Sequence, residues 1–148
     1  MKKYIAYGSN LSMEQMAYRC RDARVIGKAT ILGWKLVFRQ HATIEPEEGS
    51  EVPVLLWEIS KEDERRLDVY EGFPMYYYKT DMDVVMTELD GKRPRKVKAM
   101  VYLMEDGHPI HLPTPSYYQT LLGGYERFGF DTELLERAMD EANQKGRW

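Results

Sequence analysis

Lys2-Lys3-Tyr4-Ile5-Ala6-Tyr7-Gly8-Ser9-Asn10-Leu11 is the stretch on which the reading of this chain turns. Tyr4 to Tyr7 is a short run of aromatic, branched and small residues, the composition of a buried strand. Gly8-Ser9-Asn10 is turn chemistry, because Gly and Asn accept positive φ while Ser and Asn side chains bond nearby backbone. Ser12-Met13-Glu14-Gln15 then sets a capping residue three positions ahead of a Gln, the pattern of a capping box. Strand, tight glycine turn and helix N-terminus follow in immediate succession. Backbone N–H groups in such a turn point outward together and attract an anionic group.

Outward from there, the first helix is expected over Ser12 to Arg21. Ala23 to Gln40 reads as extended, with Gly27 and Gly33 as bulges or bends in a strongly curved sheet. His41 to Gly49 is polar, carries Glu45-Pro46-Glu47-Glu48-Gly49, and reads as a loop; Val52 to Ile59 resumes as strand. Ser60 followed by Glu62 and Asp63 predicts a helix to about Tyr70, ended by Gly72 and Pro74. Tyr76 to Glu88 and Val97 to Met104 form a hairpin pair about the turn signal Asp90-Gly91. After a proline-rich loop from Glu105 to Pro115, Ser116 to Phe128 and Thr132 to Gln144 read as helices broken at Gly129-Phe130-Asp131. Strands and helices are interspersed without strict alternation. That argues for an α+β fold, a curled mixed sheet approaching a small barrel and flanked by helices. With no internal repeat and no linker, residues 1–148 read as one domain.

Composition narrows the function. A formal net charge of −3 gives no electrostatic reason to expect nucleic acid. Lys92-Arg93-Pro94-Arg95-Lys96 is brief, lacks stacking aromatics, and reads as a solvated hairpin tip. The single cysteine, Cys20, excludes an internal disulfide and points to a reducing compartment. It lies between Arg19 and Arg21 with no partner that would make it a nucleophile. Met1-Lys2-Lys3 leads into only a few apolar residues before Gly8, so no secretory signal is expected. No run approaches the roughly 18–20 apolar residues of a membrane span, and a cytoplasmic location is expected. The one histidine pair, in His108-Pro109-Ile110-His111, has a proline that opposes a helical ligand pair. Neither a metal nor another cofactor is expected.

Glu71 is the candidate for chemistry. In Leu67-Asp68-Val69-Tyr70-Glu71-Gly72-Phe73-Pro74 it ends a helix just before a glycine, where a carboxylate is aimed off the helix face. The apolar and aromatic residues that follow, Phe73 through Tyr78, would desolvate it, raise its pKa and make it a better proton acceptor near neutral pH.

Three elements together, Tyr7-Gly8-Ser9-Asn10-Leu11, Leu67-Asp68 with Glu71-Gly72, and Pro113 four residues ahead of Tyr117, resemble the gamma-glutamylcyclotransferase-like (AIG2-like) family. Phe73-Pro74-Met75 is similar to its compact bacterial members rather than to the longer vertebrate enzyme. The resemblance implies a barrel-like sheet with a pocket at one end. It also implies a cyclisation, in which the α-amine of a γ-glutamyl group attacks its own side-chain amide, giving 5-oxoproline and a free amine or amino acid. Glu71 would be the general acid/base. The amides of Gly8, Ser9, Asn10 and Leu11 would hold the glutamyl moiety, and Tyr7 would form a pocket wall. Further pocket tyrosines are one of the run Tyr76-Tyr77-Tyr78 (Tyr77 first, Tyr78 next), Tyr102, and Tyr117 or its neighbour Tyr118. The partner so implied is a small γ-glutamyl amine or amino acid, with no nucleic acid and no membrane. The leaving amine and the oligomeric state stay open. Two other functions fit the same residues: a non-catalytic small-molecule or peptide-binding domain, and a γ-glutamyl transfer or maturation enzyme on the same scaffold.

Overall fold

Tyr4, Ile5 and Ala6 are all buried, which sets β1 (Lys2–Ala6) within the sheet rather than on an edge. The computed structural model describes residues 1–89, 91 and 93–146. In it β1 pairs antiparallel with β3 (His41–Ile59) and, through Tyr4 and Met100, parallel with β5 (Arg95–Met104). With β2 (Arg24–Arg39) and β4 (Tyr77–Glu88) the order is β1-β3-β2-β4-β5, a closed barrel that leaves no open edge. Around it lie α1 (Met13–Arg19), α2 (Lys61–Tyr70), α3 (Pro115–Phe128) and α4 (Thr132–Lys145), so the architecture is α+β with a mixed, curled sheet.

Closure demands sharp coiling, and β2 supplies it at its glycines. The β2–β3 register shifts between Val25 and Gly27 and again between Leu32 and Trp34, with Gly33 at φ +78°. At Gly27 a Cβ would lie 2.6 Å from Met86 Cγ, so the approach of β2 to β4 excludes any side chain there. Ile5, Phe38, Leu55, Leu56, Ile59, Leu67 and Met86 fill the core. Each fully buried side chain of this kind contributes about 1.5–3 kcal/mol.

The segment from His41 to Gly49 is not a loop. It is the first half of β3, continuing the hairpin from Arg39 paired with His41 to Trp34 paired with Pro46. Ala42, Thr43 and Ile44 are buried there, and ion pairs of Arg39 with Glu45 (2.8 Å) and Lys35 with Glu47 (3.4 Å) hold the polar outer part. Pairing and cross-strand charge thus override a turn-like composition. Arg95 and Lys96 likewise belong to β5, opposite Met86 and Val85, rather than to a hairpin tip. Asp90 and Lys92, which also belong to that expected tip, lie outside the described residues.

Helix α1 is shorter than expected, ending at Arg19 with Cys20 as its C-cap. Ser12 Oγ accepts the Gln15 N–H, but Gln15 Oε1 is buried without a partner, so only half a capping box forms. The full box belongs to α2, where Ser60 and Asp63 exchange hydrogen bonds. Helix α3 crosses the glycine turn of residues 8–11 at Gly124, where a Cβ would lie 2.5 Å from that of Leu11. That close approach presses the turn against the barrel end. Among the described residues no helix is long and apolar enough to cross a membrane.

Candidate functional site

Residues 9–11 fold as a 3₁₀ turn in which the Leu11 N–H donates to the Gly8 carbonyl and Ser12 N–H to Ser9, each at 3.0 Å. The amides ahead of them, Ser9 and Asn10, have no partner within the turn, as at the start of any helix. Gly8, Ser9 and Asn10 line a cavity of about 150 Å³ at the barrel end; Leu11 is wholly buried beneath it. A cavity of that volume admits a guest the size of benzene. The backbone at Gly8 runs close to the far wall: a Cβ there would come 3.3 Å from the Tyr117 hydroxyl and 3.5 Å from Ala42 Cβ.

Glu71 enters from the opposite wall. It caps the C-terminus of α2 in a Schellman arrangement, with Gly72 at φ +65°. Gly72 N–H donates to Val69 O (3.2 Å) and Phe73 N–H to Asp68 O (2.9 Å). The chain therefore leaves the helix axis at Glu71, whose side chain lines the cavity. Burial pushes its carboxyl up to about 7, opposed by the Arg19 guanidinium. Its charge in turn acts on the hydroxyls of Tyr4, Tyr7, Tyr76, Tyr77, Tyr102 and Tyr117, which burial has already raised. One titrating acid thus sits within a ring of neutral phenols.

The phenols are held in place by defined bonds. Tyr7 Oη donates to the Tyr102 carbonyl (2.6 Å) and Tyr77 Oη to the Ala42 carbonyl (2.6 Å). Tyr102 Oη donates to Asp68 Oδ1 (2.7 Å), and Tyr117 Oη accepts from the Ala42 N–H (3.0 Å). His41 Nδ1 meets Tyr76 Oη at 2.8 Å, and its ring stands edge-on to Tyr76 and Tyr117. Burial lowers the His41 pKa, which favours the neutral imidazole.

With this geometry in hand, comparison decides the family. The sequence profile of the family described as gamma-glutamyl cyclotransferase, AIG2-like, matches residues 4–121. The chain belongs to that family. The gamma-glutamylcyclotransferase of Mus musculus is 27% identical over 158 residues, spanning 97% of this chain and 81% of its own. A solved structure named gamma-glutamyl cyclotransferase superposes with a TM-score of 0.69 at 26% identity, covering 93% of this chain and 85% of that one. The crystal structure of YkqA from Bacillus subtilis, at 24% identity and covering 94% of this chain and 54% of its own, shares the fold with a TM-score of 0.74.

In this gamma-glutamyl cyclotransferase family member the cavity gathers Tyr7, Gly8, Ser9, Asn10, Glu71, Tyr77, Tyr102 and Tyr117. It does not include Leu11. Of the adjacent tyrosines, Tyr78 is half-exposed and faces away, and the Tyr118 hydroxyl feels the charges of Glu136 and Asp140 on α4. Tyr76, the third of the run left open beside Tyr77, lines the cavity too, and so do Tyr4, His41 and Tyr70, unforeseen in the sequence. His41 was masked by the loop-like composition around it, and Tyr4 by the ambiguity of which strand face looks inward. Behind the lining stand Arg19, stacked 3.4 Å from the Tyr70 ring centroid, and Asp68. Cys20 is buried, its thiol pushed up to about 12 by desolvation and by Asp63, which keeps it protonated. Among the described residues no group of His, Cys, Asp or Glu is arranged to hold a metal ion.

Proposed function

We propose that this protein is a γ-glutamyl cyclotransferase acting on γ-glutamyl amines or amino acids, with Glu71 as its general acid/base. The observation that carries the reading is a lone carboxyl, raised to about 7, facing the Gly8-Ser9-Asn10 turn across one small cavity. The substrate's α-ammonium must lose a proton before its nitrogen can attack, and a base works best when its pKa lies near the operating pH. The Glu71 carboxylate takes that proton. The nitrogen then bonds to the γ-carbonyl carbon, whose oxygen gains negative charge close to hydrogen-bond donors. As the ring closes, the same carboxyl hands that proton to the departing nitrogen and takes the second proton from the attacking one. It passes this second proton to the released amine, which leaves as an ammonium while Glu71 returns to its carboxylate. The bond formed is the lactam C–N, the bond broken is the original amide C–N, and no water is consumed.

The remaining work is positioning. A cavity of about 150 Å³ holds little more than the folded glutamyl group, which keeps amine and carbonyl in contact. Tyr70 lines the cavity and is 45% exposed, so we place the leaving amine at the rim on that side. The test is Glu71→Gln, nearly the same shape, assayed by mass spectrometry for 5-oxoproline from a panel of γ-glutamyl amides. Loss of product with unaltered circular dichroism is the expected result. Unchanged turnover would dismiss Glu71, and products carrying the glutamyl group on a new acceptor would identify a transferase instead.

A further inference from the structure

The direction of the hydrogen bonds sets two cavity hydroxyls, those of Tyr4 and Tyr117, apart from their neighbours. Tyr7, Tyr77 and Tyr102 each donate their proton to an oxygen of the protein. Tyr117 and Tyr4 do the reverse: the Tyr117 oxygen accepts from the neutral Ala42 N–H at 3.0 Å, whereas the Tyr4 oxygen accepts at 2.9 Å from Asn10 Nδ2, the end of a chain that begins in a guanidinium. An amide nitrogen only donates, so the Tyr4 proton has no acceptor on Asn10 and is free for the cavity that the residue lines.

The amide cannot turn over and release this arrangement. Arg19 Nη1 bonds Asn10 Oδ1 at 2.5 Å, and a guanidinium has no lone pair to accept with. The Asn10 backbone carbonyl is taken by Trp57 Nε1 at 3.1 Å. Arg19 is itself clamped over the Tyr70 ring, 3.4 Å from its centroid, with Ser9 Oγ also 3.4 Å from Nη1. The Tyr4 ring stands edge-on to Tyr102 at 5.9 Å. The chain therefore runs one way, from guanidinium to amide to phenol to cavity. Its charged end polarises each later donor, since hydrogen bonds in series strengthen one another.

Resting on the cyclotransferase reading, we infer that Tyr4 is the hydroxyl donor to the reacting amide's carbonyl oxygen, with Arg19 and Asn10 as positioning residues that fix its direction. That oxygen gains charge as the amine adds and gives it back as the leaving nitrogen departs. Tyr4 keeps its proton throughout, stabilising the charge by a hydrogen bond. Because the bond strengthens only as charge develops, it acts on kcat rather than on KM.

The test compares wild type with Tyr4→Phe, Arg19→Met, Arg19→Lys and the Y4F/R19M double variant, by steady-state kinetics and calorimetry with 5-oxoproline. Y4F, which removes one oxygen, is expected to lower kcat about 10²-fold and leave KM within about threefold. Measured at a pH above the Glu71 limb, where the guanidinium's effect on the base no longer counts, R19M should lower kcat less, R19K should recover part of that loss, and the double variant should be no slower than Y4F. An unchanged kcat in Y4F, or a rise in KM alone, would overturn the inference, the latter because it marks a contact to the ground-state carboxylate. If wild type forms no 5-oxoproline from any amide, the cyclotransferase reading fails separately. The lactam carbonyl then decides Tyr4: weaker 5-oxoproline binding by Y4F retains it as the carbonyl donor, and equal or absent binding removes it.

Discussion

The Tyr102 hydroxyl donates to Asp68 Oδ1 across 2.7 Å, tying the last turn of α2 to the barrel strand β5. Lys79 on β4 takes the other oxygen of Asp68 at 3.0 Å and reaches Glu64 at 2.9 Å. Glu71 follows directly on this anchored turn, so its position is inherited from Asp68. Asp68→Ala removes both bonds and is expected to lower stability by about 2 kcal/mol, the usual loss for hydrogen bonds to a charged partner. Turnover should fall with it as Glu71 loosens, whereas Asp68→Asn retains an acceptor for Tyr102 and loses less. Urea unfolding with 5-oxoproline assays checks both; wild-type stability in the Ala variant would show the anchor to be inert.

Burial of Glu71 has a thermodynamic signature. Its carboxyl rises from 4.5 to about 7 on folding, so between those values the native state holds a proton that the unfolded chain has lost. Stability therefore falls as pH rises through that window. Glu71→Gln has no such slope. The variant should match wild type below the unfolded carboxyl's range and exceed it above pH 7, by about 3 kcal/mol for a shift of this size. Thermal melts from pH 4 to 8.5 read the difference; parallel curves would mean the carboxyl is solvated.

With Glu71 as the proposed base, the same group is expected to set the acid limb of the rate profile. Below about 7 the base form is depleted, and kcat/KM should fall tenfold per pH unit. Arg19 lowers this pKa, so Arg19→Met should move the limb to higher pH. Tyr4, Tyr7, Tyr76, Tyr77, Tyr102 and Tyr117 stay neutral throughout, because burial raises each of these six. A limb that holds its place in R19M would show that the guanidinium charge does not reach the acid.

The barrel and the two converging segments were legible because their signals are local. Gly27 and Gly33 mark the bends that closure needs, and Gly72 after a short helix marks where Glu71 turns inward. What was not legible depends on pairing between distant segments. Glu45-Pro46-Glu47-Glu48-Gly49 has the composition of a loop, yet β2 lies opposite it and makes it strand. His41 came into the cavity with that strand. Leu11, grouped with the turn in the sequence, is the residue that closes it: its N–H is engaged by Gly8 and its side chain is packed under Gly124. Arg19 gave no signal at all, since its role lies in the direction of bonds to Asn10 and Tyr70 rather than in any spacing.

Gly72 allows backbone strain to be separated from damage to the site. At φ +65° an Ala there costs about 1–2 kcal/mol from the left-handed conformation alone. Its Cβ would also lie 3.1 Å from Tyr76 Cβ, on a side chain that lines the cavity and bonds His41. Gly129, the C-cap of α3, has the same kind of backbone at φ +71° but nothing within 4 Å of a Cβ. Gly72→Ala and Gly129→Ala should therefore lose similar stability, while only G72A should displace Tyr76 and Glu71 and reduce 5-oxoproline formation, by at least about tenfold for a misplacement approaching 1 Å. Equal activity in the two variants would mean that the α2 terminus does not aim the acid, and that something other than the Schellman turn holds Glu71 in the cavity.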